Sequence, residues 1–325
     1  MILRASSRSV RAGQVDDQAS PCRIQQILVH PGDLFCYESL SGALRLHDQF
    51  YVQTVTQMFI GWPELLLLTA WIGPFFFVGL FTIAERRWPD GAYPKEPHLK
   101  TNLFVGGTST LIAFFLLQST QDVIADKLSI YDFVDFSAPL LPSFLSYVLY
   151  VLFIDFIYYA LHRLSHQIPI LWRLHKVHHS DDRVTASTGL VHHPLEALFI
   201  GVAAFSIYVL VNMPAGVILF YGAINSLHVA FVHSNMRPPF WLERGLSKII
   251  YTPSLHKIHH SIRKEEGNSN FGMIFVFWDQ VLASWKPHAS ANSTAILMGL
   301  DETKGMNWST KALMQLPFRR EKSVP

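Results

Sequence analysis

Charge is what this chain has least of. Asp, Glu, Lys and Arg make up 15% of its 325 residues, against about 25% in an ordinary soluble domain. Half of the residues are hydrophobic. That balance argues for burial in lipid rather than for a large soluble core. The formal net charge is +2 with no basic stripe, which excludes nucleic acid as a partner. Cysteine is scarcer still. Cys22 and Cys36 are the only two, both near the N-terminus, so they build no disulfide framework and no thiolate zinc or iron–sulfur centre. No H-E-x-x-H stretch occurs, so the zinc metalloprotease signature is missing. No nucleophile or acid–base pair stands out.

Histidine is what the chain has instead. Of 16 histidines, 12 fall between His162 and His260; only His30, His47, His98 and His288 lie outside. They concentrate in three boxes: His162-Arg-Leu-Ser-His166, His175-Lys-Val-His178-His179 and His256-Lys-Ile-His259-His260. Neutral imidazole is the commonest protein ligand for a transition metal. On a helix, residues three and four apart share a face, so each box can aim its rings at one point. The second and third boxes repeat one pattern, H-x-x-H-H-S, and two similar half-sites suggest two ions. A structural zinc needs four ligands; these boxes hold eight histidines. Two ions with four or five ligands each and an open position fit the count. Imidazole alone suits zinc, copper, iron or nickel.

Four charge-free stretches are long enough to matter. Residues 65–84 lie between Glu64 and Glu85, 101–121 between Lys100 and Asp122, and 136–154 between Asp135 and Asp155. Each is near the roughly 20 residues a helix needs to cross hydrocarbon. Pro74 and Gly79 in the first are tolerated in membrane helices. The fourth, 197–236, is about twice that length. Asn212-Met213-Pro214-Ala215-Gly216 near its middle reads as a turn, so this stretch predicts a helical hairpin. Arg86, Arg87, Lys95 and Lys100 follow the first stretch, whereas Asp122, Asp126, Asp132 and Asp135 outnumber Lys127 after the second. Lys and Arg concentrate on the cytoplasmic side. The first loop is therefore expected in the cytoplasm, the third span ends there at His162, and the hairpin begins and ends on that side. All three boxes then share one membrane face. The expected fold is all-α: about three spans plus a hairpin, with the boxes in a cytoplasmic helical cap. The location follows as a bacterial inner membrane or endoplasmic reticulum.

Further residues are weighed one by one. His193, in His192-His193-Pro194-Leu195-Glu196, and His233, at the end of the hairpin, are read as ligands; for His192 and His228 a hydrogen-bonded packing role is the default. Asp155 lies seven residues before His162, two turns back on one face. A carboxylate inside a membrane segment is costly and usually functional. It could accept the second ring N–H of a ligand histidine and fix its tautomer, or be a solvated acid at a helix end. Tyr158 and Tyr159 read as part of an interfacial aromatic belt. Phe75-Phe76-Phe77 and Phe114-Phe115 read as lipid-facing or packed. Residues 1–52 read as an extension, with Arg4, Arg8 and Arg11 giving it some transit-peptide character. Residues 53–318 form the membrane-embedded domain and 319–325 a basic tail. Asn292-Ser-Thr294 and Asn307-Trp-Ser309 match the glycosylation pattern but fall on the cytoplasmic side, where they stay unmodified.

These segments resemble the sterol desaturase and fatty acid hydroxylase superfamily of membrane non-haem di-iron enzymes. The likeness rests on Asp155-x-x-Tyr158-Tyr159-x-x-His162-Arg163-x-x-His166, then His175-x-x-His178-His179-Ser180 and His193-Pro194-Leu195-Glu196. It continues through His233-Ser234-Asn235, Thr252-Pro253-x-x-His256-x-x-His259-His260, Asn268-Ser269-Asn270-Phe271-Gly272 and Trp278-Asp279. The resemblance implies a helical bundle with a cytoplasmic cap holding two iron ions. It implies O2-dependent hydroxylation or desaturation of a lipid, with electrons from a separate donor of the cytochrome b5, ferredoxin or reductase type. A histidine-rich membrane transporter or store for zinc or iron is the rival reading; it would place ligands near the bilayer midplane on broken helices. A haem protein is another, and would need only two axial histidines per haem.

Overall fold

The computed structural model describes residues 72–91, 98–128, 136, 143–287 and 296–319. The expected extension at 1–52, the beginning of the first apolar stretch, the sequon at Asn292 and residues 320–325 lie outside the described residues. Among the described residues the chain is helical, with isolated β-bridges and no strand.

Apolar composition makes the long helices. α1 (Gly73–Arg87) begins at a Gly-Pro pair and ends on two arginines, the charge sign a helix C-terminus favours. α2 is Leu99–Leu128 and α3 is Ser143–Gln167. α5 (Pro194–Leu210) and α6 (Ala215–His233) form the expected hairpin. Asn212 in its turn takes φ of 46°, a left-handed conformation that Asn tolerates. Among the described residues three helices are long and apolar enough to cross a membrane: Leu99–Leu117 within α2, Phe144–Gln167 within α3, and α6. α5 is apolar but shorter, at 17 residues. Phe76, Ile83, Phe104, Phe115, Phe144 and Phe220 are exposed on these helices, as a lipid-facing surface requires.

α3 runs past Asp155 for three more turns and carries the whole first box. Asp155 does not end the helix because the protein surrounds it with donors. It is fully buried and accepts from Tyr221 Oη (2.8 Å), Ile274 N (3.1 Å), Phe275 N (3.4 Å) and Trp278 Nε1 (3.0 Å). The interior between α3, α5 and α6 is otherwise apolar: Tyr150, Ile154, Ile157 and Leu161 meet Ala204, Tyr208, Val217 and Tyr221.

Short helices gather at one end of the long ones. α4 (Pro169–His179) follows α3 directly, and α7 (Phe240–Leu246), α8 (Pro253–His259), α9 (Lys264–Gly267) and α10 (Phe277–Val281) follow the hairpin. α11 (Thr310–Gln315), its first turn capped by Ser309, leads into a final 3-10 turn, Leu316–Phe318. α4, α5 and α8 each open with a proline, which fixes φ and lacks the N–H that a first turn cannot satisfy. The helices that carry histidines are thereby started at defined places.

The C-terminal end of α1 belongs to the same end of the molecule. Buried Glu85 accepts from Ala186 N (3.0 Å) and Asn235 N (2.8 Å), tying the 3-10 turn Ala186–Leu190 to the exit of α6. Lys257 of the third box reaches Asp90 (2.7 Å), just beyond α1.

Candidate metal centre

The boxes converge. His162 and His166 stand on the last turns of α3, His175, His178 and His179 on the last turns of α4, and His233 is the final residue of α6. α8 carries His256 and His259, with His260 directly after it. These nine form two sets. Ligand nitrogens of His162, His166, His175, His179 and His259 lie within 4.8 Å of one another, and so do those of His178, His233, His256 and His260. The sets abut: the rings of His179 and His260 stack with centroids 4.6 Å apart.

Hydrogen bonds fix how the rings present themselves. His162 Nδ1 donates to Phe271 O (2.8 Å) and His259 Nδ1 to Ser269 O (2.8 Å). With Nδ1 carrying the proton, Nε2 is a bare acceptor. Yet the two Nε2 atoms face each other at 3.1 Å. The second set repeats this. His233 Nδ1 donates to Val229 O (2.8 Å), His178 Nδ1 to Val191 O (3.3 Å), and their Nε2 atoms are 3.1 Å apart. Two lone pairs so placed repel unless a cation lies among them. His256 Nε2 and His260 Nε2 stand 2.9 and 3.3 Å from His233 Nε2. Two nitrogens each about 2.1 Å from one ion, at right angles, lie about 3.0 Å apart. The spacing therefore fits a metal pair.

Burial pushes the pKa values of His178, His179, His256, His259 and His260 well below the ordinary imidazole value, and neighbouring histidines push in the same direction. The rings are neutral, the form that binds metal.

Other expected site residues lie elsewhere. His193 stands outside both sets: its Nδ1 accepts from Leu195 N (3.2 Å), capping α5, and its ring meets Phe318. The adjacent His192 stacks on His178 with centroids 4.5 Å apart. His228 Nε2 meets Tyr251 O (3.0 Å), a packing contact. Asp155 touches no histidine; its four donors come from α6, the 274–275 backbone and α10, so it anchors that stretch of chain rather than a ring. Tyr158 and Tyr159 do not form a belt at the interface. Tyr159 is buried and meets Ser284 Oγ (2.9 Å), while Tyr158 stacks on Tyr221.

The group that holds a histidine by its carboxylate is Glu196, which sequence reasoning left without a role. His175 Nδ1 donates to Glu196 Oε1 (2.6 Å), and His192 Nδ1 lies 3.1 Å from the same oxygen. The Asn268–Gly272 segment orients His162 and His259 through its carbonyls, and is itself held by Asp279, which accepts from Phe271 N and Gly272 N. A Cβ on Gly272 would approach Tyr251 to 2.4 Å; one on Gly189 would approach Val229 to 2.7 Å and His233 Nδ1 to 3.1 Å. Backbone at both places runs too near the site for a side chain.

A cavity of about 300 Å³ adjoins the histidines. Its walls include Val78 of α1, Thr110 of α2, Ile200 of α5 and Asn225 of α6, and His162, His175, His178, His233 and His256 reach it. The walls are mostly apolar with a few polar groups, as in ligand pockets generally.

Comparison with known proteins agrees with this geometry. Residues 147–284 match the model of the fatty acid hydroxylase family. Ornithine lipid hydroxylase OlsE of Rhizobium tropici is 34% identical over 166 residues, covering 50% of this chain and 47% of that protein. Alkylglycerol monooxygenase of Danio rerio is 27% identical over 274 residues, covering 81% of this chain and 53% of that one. Very-long-chain aldehyde decarbonylase GL1-4 of Oryza sativa subsp. indica is 25% identical over 154 residues, covering 45% and 24%. The chain thus spans about half the length of the first two relatives. No solved structure matches it. The converging histidines all lie within residues 147–284, the part of the chain that is similar to the fatty acid hydroxylase family.

Proposed function

We propose that this protein is a multi-pass membrane di-iron oxidoreductase that hydroxylates a lipid C–H bond with O2. The observation that carries the reading is the pair of opposed Nε2 lone pairs in each histidine set, 3.1 Å apart with both tautomers fixed. His162, His166, His175, His179 and His259 would hold one iron, and His178, His233, His256 and His260 the other. Bound iron would supply the oxidation of a C–H bond by O2, using two electrons from a separate cytochrome b5-, ferredoxin- or reductase-type donor; zinc, having no redox chemistry, would not.

The chain's own residues do the rest. Phe271, Ser269, Val229 and Val191 carbonyls and the Glu196 carboxylate fix ring tautomers, which raises ligand basicity. The apolar walls of the cavity admit a lipid chain from between the helices and exclude water from the metal end. The histidines gather at the ends of membrane-length helices, not at their middles, which favours an enzyme over a transporter. Arg86 and Arg87 close α1 at that same end, which by the positive-inside rule supports a centre on the cytoplasmic face.

Metal analysis of the purified protein should find two irons per chain. Lipid mass spectrometry of cells with and without the gene should find a species heavier by one oxygen atom only where the gene is present. Protein without iron, or His178→Ala with full activity, would overturn the reading.

A further inference from the structure

Hydroxyls on the long helices are mostly occupied by their own backbone. Thr108, Ser119, Thr120, Ser165, Ser206 and Ser226 each donate to a carbonyl four residues earlier, the usual resolution for a hydroxyl in an apolar helix. Ser109, on the cavity wall, donates to His192 O (2.7 Å). Asn225 behaves differently. It lies in α6, one of the helices of membrane length, and lines the cavity that ends at the histidines. Its side-chain oxygen is buried and has no hydrogen-bond partner. A buried unpaired amide is costly, and polar groups at membrane depth mark binding sites. Thr110 lines the same cavity from α2.

We propose that Asn225 is a substrate-recognition residue, and that the lipid oxidised here carries an N–H or O–H group (an amide or a hydroxyl) within the cavity. The inference rests on the reading of this cavity as the lipid site. A carboxamide brings both a donor and an acceptor. An ether or ester offers acceptors alone, and a plain hydrocarbon offers neither, so each leaves the Asn225 oxygen unpaired. An amide N–H or a hydroxyl O–H supplies the donor that this oxygen lacks. Sites built to hydrogen-bond a substrate reject analogues that lack the group, because their own buried polar atoms are then stranded.

Two lipids that differ only by N–H for O make the test: N-methylhexadecanamide and methyl hexadecanoate. Equilibrium dialysis of each, radiolabelled, against the iron-loaded full-length protein in detergent micelles gives their affinities. The amide should bind about 10- to 100-fold tighter. Asn225→Leu and Asn225→Ala should both erase that preference while keeping the iron content and melting temperature of the parent. Equal affinity for the two lipids in the parent overturns the inference with no variant needed, and so does an undiminished preference in a variant that folds. Two irons and oxidation of both lipids alike would sink this inference and leave the hydroxylase reading standing. Selective amide binding by a protein that holds no iron and consumes no O2 would do the reverse.

Discussion

His166 shows most plainly what a single residue contributes. Its ring lies among those of His162, His175, His179 and His259, whose ligand nitrogens gather with its own within 4.8 Å of one another. Removing it by His166→Ala should lower the metal content by at least one ion per chain, measured by elemental analysis. His228 makes the contrast. Its Nε2 meets the Tyr251 carbonyl, so His228→Leu should cost about 1 kcal/mol of stability in thermal melting and leave the metal content unchanged. Glu196→Gln keeps a hydrogen-bond acceptor for His175 Nδ1 but removes the charge. Metal affinity should fall about 10- to 100-fold, read by chelator competition; unchanged affinity would show that the 2.6 Å contact does not tune the ligand.

At the scale of elements, Asp155 joins α3 to the chain that follows α9. Asn in its place has one acceptor oxygen, and its amide would face donors supplied by Tyr221, Ile274, Phe275 and Trp278. Asp155→Asn should therefore lower stability by about 1–3 kcal/mol. It should also loosen the nearby Asn268–Gly272 segment that orients His162 and His259, so both melting temperature and metal content should drop. The sequence made the boxes legible because histidine at i, i+3 and i+4 has few structural uses, and made the hairpin legible because Asn212 to Gly216 interrupts an apolar run of twice the usual length. The role of Asp155 was not legible, because the donors that neutralise it lie more than sixty residues away. Glu196 and the Asn268–Gly272 carbonyls were hidden because their work is done by contacts between elements, which local spacing does not encode. His193 was read as a ligand from its place before the hairpin; here its Nδ1 caps α5.

For the whole molecule, the buried neutral histidines couple stability to pH. In His178, His179, His256, His259 and His260 the folded pKa lies well below the ordinary 6.5. The unfolded chain therefore takes up protons that the folded chain refuses, and the metal-free protein should lose stability as pH falls through about 6.5 and below. Thermal melting of chelator-treated protein from mildly alkaline to mildly acidic pH should show that decline. Restoring metal should raise the melting temperature wherever the imidazoles stay unprotonated.

Neighbours in the chain are divided between the two histidine sets. His179 joins one and His178 the other; His259 joins one, His256 and His260 the other. Whatever ion settles first must draw both short helices into place, and in doing so it finishes most of the cage for the second. Titrated with metal, the population should hold few molecules carrying a single ion: chains should be either empty or full.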